Sequence, residues 1–351
     1  MKAPLIFKAG ATARKVIEQD GLHPQQLAAI AGAAGGPKWL VLAGLDRLLF
    51  GQWLQGRSAP LPLVGASIGS WRFAAVAQAD PLAAIDRLEH GYIHQCYDGQ
   101  PSPRQVTTTA RDIIIDLLGD RGGSEILSHP WARLHIITAR ALGWTAYDSP
   151  LRMSAGFAAA IALNTLHRPL LSRFLQRRVF GDPRPGKLPS FAFPGFNTEL
   201  PALTQQNLAD ALLASGSIPF VMESVNIHGQ GGRYRDGGMV DYHIDLPLQG
   251  DRDNGLVLMP HFSDQVIPGW LDKYVPWRRA ENLDNYLIMH PSAEWVASLP
   301  NGKIPDRTDF KRYQGNDAAR IRDWQSVARR SEELAEFLAE RLEKGDLSHY
   351  L

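Results

Sequence analysis

The sequence predicts a three-layer α/β/α fold with a central, mostly parallel sheet, on two observations. Short apolar runs near residues 4–7, 27–32 and 60–67 alternate with longer stretches of helical periodicity over 38–50 and 68–78, and such alternation builds parallel strands covered by helices. Further apolar runs over 134–138, 190–193 and 255–259 spread strand candidates along the whole length, so one domain spanning 1–351 is expected. A chain of 351 residues, 44% hydrophobic and 21% charged, can bury a core of that size.

Between these elements, residues 181–189 and 300–309 collect proline, glycine and charge and read as surface loops. Towards the carboxyl end, Ile321, Trp324, Val327, Leu334, Phe337, Leu338 and Leu342 recur at helical spacing. Asn316 or Asp317 supplies a start signal and Gly345 a stop, so an amphipathic helix over 316–345 is expected to pack its apolar stripe on the body of the protein. Aromatic residues concentrate at Phe191, Phe193 and Phe196, and again at Trp270, Tyr274 and Trp277. They read as core, with an acyl pocket or a lipid interface as the alternative.

Composition excludes several classes. The 37 basic and 36 acidic residues leave a net charge of +1, which argues against an electrostatic grip on nucleic acid or on an anionic membrane. Cys96 is the only cysteine, so no internal disulfide forms; it reads as a small buried hydrophobe in a reducing compartment. Lys8 interrupts the apolar patch near the amino terminus, and no apolar run approaches the roughly 20 residues of a membrane span. The expectation is a cytoplasmic protein that can still visit a lipid surface. The 11 histidines are scattered, without a His-Glu-x-x-His motif, and no calcium loop is present, so neither metal nor cofactor is expected.

The chemistry concentrates in three places. Gly65-Ala66-Ser67-Ile68-Gly69 follows the apolar run 61–64 and opens a helical run. A serine at such a tight strand-to-helix turn is a strained nucleophile elbow, with Gly65 and Gly69 sparing the adjoining strand and helix a clash. The helix amino terminus then faces the reaction centre. Upstream, Gly32-Ala33-Ala34-Gly35-Gly36-Pro37-Lys38 forms a second glycine-rich turn onto a helix. It lacks the Gly-Lys-Ser/Thr ending of a phosphate-binding loop and suits an oxyanion hole better. Downstream, 214–220 (ASGSIPF) leads to Tyr234-Arg235-Asp236-Gly237-Gly238; an Asp-Gly pair by itself also makes a hairpin turn.

Taken in order over roughly 27–241, these motifs resemble the patatin-like phospholipase family. Its marks are a basic, glycine-rich oxyanion loop, a Gly-x-Ser-x-Gly elbow, an Ala-Ser-x-x-x-Pro segment and Asp-Gly-Gly. The resemblance implies a Ser-Asp dyad without histidine: Ser67 as nucleophile, Asp236 as base, Gly35 and Gly36 as oxyanion donors with Lys38 beside them. Gly237 and Gly238 would let the chain bring Asp236 close. It also implies a lipid ester substrate, hydrolysed through an acyl-serine. Ala34 and Trp39 stand where the family usually has glycine, and Pro37 has no N–H to donate. Two alternatives stay open: a Ser-Asp-His triad using His243, His261 or His290, and a catalytically inactive lipid-binding or scaffold protein on the same fold.

Overall fold

The structure is a computed structural model and describes residues 3–188, 190–250 and 254–351. Among them eight strands form one sheet: β1 (Leu5–Ala9), β2 (Leu27–Gly32), β3 (Leu61–Ala66), β4 (Ala132–Ala141), β5 (Leu175–Gly181), β6 (Arg233–Asp236), β7 (Leu256–Pro260) and β8 (Tyr286–Pro291). Their order is β1-β8-β7-β2-β3-β4-β5, with β6 also paired to β4. The run β8-β7-β2-β3-β4 is parallel; β1, β5 and β6 add antiparallel edges. Every residue of β2, β3, β7 and β8 is buried, as happens only when both faces of a sheet are covered. The protein is therefore a three-layer α/β/α sandwich with a mostly parallel centre.

Small residues set how closely the layers approach. A Cβ on Gly69, in the helix Ile68–Val76, would lie 2.1 Å from the carbonyl oxygen of Gly32 at the end of β2. A Cβ on Gly32 would meet the Phe73 ring at 2.6 Å. Helix and strand touch through backbone here, and no larger residue fits.

Several expectations are corrected. Residues 190–193 are no strand: a single 3-10 turn covers Ser190–Ala192, and the strands β5, β6 and β8 went unpredicted. The stretch 38–50 is composite, a 3-10 turn over Gly36–Leu42, an α-helix over Ala43–Leu48 and a π-turn over Leu49–Trp53. The terminal helix is two, Asp317–Arg330 and Glu332–Lys344. They break at Ser331, whose hydroxyl accepts the Gly44 N–H at 2.8 Å and donates to the Ala328 carbonyl at 2.6 Å. Asn316 caps the first through Ala319 N–H, Gly345 ends the second at φ 65°, and Trp324, Val327, Leu334 and Leu338 are buried.

Cys96 is exposed, not buried. Of the aromatic groups, Phe193 and Phe196 are core, while Phe191, Tyr274 and Trp277 face solvent. Neither expected loop is merely surface. Asp182 is buried against Arg184 at 2.5 Å, and Asp309 is buried and accepts the Trp324 indole N–H at 3.1 Å; Pro189 lies outside the described residues. Among the described residues no helix is long and apolar enough to cross a membrane.

Candidate active site

The register of β4 brings the two ends of the site together. On one edge of β4 runs β5; on the other, β3 lies along Ala132–Ile137 with Ala66 opposite Ile137. Along that same second edge, β6 takes the next four residues in the opposite direction, with Asp236 opposite Thr138. Because β3 is parallel and β6 antiparallel to β4, their carboxyl ends converge. Ser67 and Asp236, 169 residues apart, therefore abut, and Ser67 Oγ donates to Asp236 Oδ2 at 2.7 Å.

Ser67 sits at φ 54°, ψ −128°, a strained conformation for a residue with a side chain. Neighbours hold it there. Its N–H donates to Ser215 Oγ at 2.8 Å, its carbonyl accepts Ser70 Oγ at 2.6 Å, and Ser215 Oγ donates onward to the Ile137 carbonyl at 2.7 Å. At Gly65 a Cβ would lie 2.5 Å from Ser70 N, so both elbow glycines are required by close backbone approach.

Asp236 is buried at 6% exposure. Its second oxygen accepts the Gly238 N–H at 2.7 Å, which fixes the carboxylate plane. Gly237 passes so near β4 that a Cβ would stand 2.1 Å from the Ile137 carbonyl oxygen. Burial pushes the Asp236 carboxyl up to about 6, against the opposing pull of the Ser67 and Gly238 hydrogen bonds and of Arg307 and Lys273. A carboxylate so raised is a better proton acceptor than an ordinary one.

The glycine loop lies alongside. Ala34 N–H donates to the Tyr242 carbonyl at 2.8 Å, anchoring the loop, and Gly36 turns at φ 58°. Gly35 and Gly36 line a small cavity of about 30 Å³ together with Ser67 and Asp236. N–H groups at a helix's first turn have no intrahelical acceptor, so those of Gly35 and Gly36 can serve an incoming oxyanion. Lys38 is placed differently from expectation. Its ammonium lies over the Phe262 ring at 4.9 Å and lines neither cavity at Ser67, and burial lowers its pKa, with Asp306 opposing. Trp39 is buried and meets Tyr92 edge-on.

A second cavity of about 720 Å³ opens from Ser67, walled by Trp71, Val106, Ile113, Met222 and Phe310. Arg307 and Trp270 line both cavities. Arg307 belongs to no motif and lies within 300–309, which by sequence alone reads as a surface loop. Nearby, the Lys273 ammonium rests 3.9 Å from the Tyr242 ring centre. Burial, with Lys38 and Arg307 adding to it, lowers Lys273 to about 8.

Among the described residues no histidine lines either cavity. His243 Nδ1 accepts the Ile267 N–H at 3.0 Å, and His261 Nδ1 accepts that of Ser263 at 2.9 Å. Burial lowers His261 to about 3 and also lowers His243 and His290. Among the described residues no three His, Cys, Asp or Glu side chains cluster as a metal site would require. No family model, curated protein or solved structure matches the chain.

Proposed function

We propose that the protein is a serine hydrolase of the nucleophile-elbow class. Within that class it reads as a patatin-type lipid acyl hydrolase working through a Ser67–Asp236 dyad. The observation that carries the reading is the 2.7 Å hydrogen bond from a strained, buried serine hydroxyl to a buried carboxylate of raised proton affinity.

The chemistry follows from the geometry. Asp236 takes the Ser67 proton as Oγ attacks the ester carbonyl. The negative charge that develops on the carbonyl oxygen faces the Gly35 and Gly36 N–H groups and the amino terminus of the helix Ile68–Val76. Collapse breaks the ester C–O bond, and the departing alcohol receives the proton from Asp236. Water, deprotonated by the same carboxylate, then attacks the acyl-Ser67 carbonyl, releasing the acid and restoring the serine. The apolar walls of the larger cavity suit an acyl chain, which favours a phospholipid or other lipid ester as substrate. Cytoplasmic residence belongs to the same proposal, on the ground of a single, unpaired cysteine.

Labelling with a fluorophosphonate tests it. A covalent adduct is expected on Ser67 and none on the Ser67→Ala variant. A folded protein that stays unlabelled would instead be the inactive lipid-binding alternative.

A further inference from the structure

We propose that Arg307 and Lys273 form an anion subsite at the mouth of the Ser67 pocket. Its ligand is a phosphate or carboxylate group carried by the substrate next to its ester. The inference rests on the hydrolase reading for the word substrate, but the subsite itself is argued from charge and placement.

Arg307 stands at the junction of the two cavities, with its Cγ 3.5 Å from the position a Cβ would take on Gly36. The acids beside it in the chain are committed elsewhere. Asp306 and Asp309 both bind Lys303, at 2.9 and 2.7 Å. Among the described residues Arg307 and Lys273 form no ion pair. Both side chains are exposed and so open to an incoming ligand. The one carboxylate lining the small cavity, Asp236, is engaged by Ser67 and Gly238.

The site mouth thus gathers Arg307 and, against the Tyr242 and Trp270 rings that line the cavities, Lys273, with Lys38 also near and Asp236 as the carboxylate they face. Like charges held together cost free energy that an incoming anion would relieve. Burial is the main cause of the lowered pKa of Lys273, and Lys38 and Arg307 add to it. A planar guanidinium suits either phosphate or carboxylate through paired hydrogen bonds. Arg307 also borders the larger, apolar cavity, so the ligand is amphiphilic: acyl chain in that cavity, ester at Ser67, anionic group at Arg307 and Lys273.

Binding can be measured without chemistry by titrating decyl phosphate, decanoate and decanol into the Ser67→Ala protein in a calorimeter. One or both anions are expected to bind at least about tenfold more tightly than decanol, a gain of about 1.4 kcal/mol. That preference should shrink as salt is raised from about 0.05 to 0.5 M. Arg307→Gln should remove about tenfold of it and Lys273→Gln a smaller factor, whereas Arg307→Lys should keep part. Tighter binding of decyl phosphate than decanoate identifies a phosphate-bearing substrate; the reverse order identifies a carboxylate. Equal binding of decanol and both anions, or an undiminished preference in Arg307→Gln, overturns the subsite. Either result would leave the fluorophosphonate test of Ser67 untouched, and loss of that adduct would leave anion binding standing.

Discussion

Ser67 and Asp236 stand on two differently built parts of one sheet. Ser67 ends β3, inside the parallel centre, where strands are apolar throughout and the approach of helix to strand is set by side chains that are missing, at Gly32, Gly65 and Gly69. Asp236 ends β6, in an antiparallel wing with β5, where Arg177, Arg178 and Arg235 are buried and paired. Arg177 makes two contacts to Asp241, at 2.6 and 2.7 Å, Arg178 binds Glu199 at 2.7 Å, and Arg235 binds Asp148 at 2.8 Å. Packing surrounds the serine; a charge network surrounds the strands beside the acid. The first should fail when atoms are added and the second when they are removed.

The largest effect is expected at the junction itself. Asp236→Asn keeps the shape but removes the proton acceptor, so kcat/KM should fall by about 10³ or more. In the unmodified protein kcat/KM should rise as pH increases through about 6, where Asp236 loses its proton. Stability should move the other way. A carboxyl raised in the folded state favours the fold while protonated, and that advantage is lost as pH rises through about 6. At pH 8 the Asn variant should therefore equal or exceed the parent, by up to about 3 kcal/mol, and at pH 3 it should gain nothing. Urea unfolding at both pH values checks the sign, and a variant destabilised at pH 8 would count against a desolvated, ionised Asp236.

The comparison is sharpened by one substitution on each side. Gly69→Ala adds a Cβ 2.1 Å from the Gly32 carbonyl oxygen, a contact only backbone movement can relieve; a loss of about 3 kcal/mol or more is expected. Arg177→Ala removes atoms and leaves Asp241 buried without its main partner, for an expected loss of about 3–5 kcal/mol. Replacing both partners, Arg177→Met with Asp241→Leu, should recover most of that loss, because the unpaired charge disappears. If the double variant is as unstable as Arg177→Ala, packing governs the wing as well and the contrast dissolves.

The same contrast explains which parts of the molecule could be read from the sequence. β2, β3 and the core of β4 announce themselves as apolar runs, and the elbow as glycine around serine. β5 and β6, LQRRVFG and RYRD, carry charge that reads as surface until its partners are seen: Asp241, Glu199 and Asp148 come from three different stretches of chain. β8, YLIMHP, is apolar enough to have been recognised. At the site, Ser67 and Asp236 were legible from motif order, but what orients Asp236 was not, because the Gly238 N–H donor is backbone. Lys38 and Arg307 exchange expectations for a similar reason. The first belongs to a motif and stacks on Phe262, whereas the second belongs to none and reaches the cavity only through the folding of 300–309.

Ser215 couples the two regions and carries the smallest of these effects. It ends the helix Leu208–Ser215, accepts the Ser67 N–H and donates to Ile137, the β4 residue opposite which β3 ends and against which Gly237 passes. Ser215→Ala strips a buried donor and a buried acceptor of these partners, for an expected cost of about 1–3 kcal/mol. A purely structural hydroxyl would show that loss alone. If Ser215 also holds Ser67 at its positive φ, the elbow should relax, the Ser67–Asp236 hydrogen bond should lengthen, and kcat should drop by about tenfold while KM changes little. Lost stability with kcat intact would mean that the glycines alone maintain the elbow, and that the wing reaches Ser67 only through Asp236.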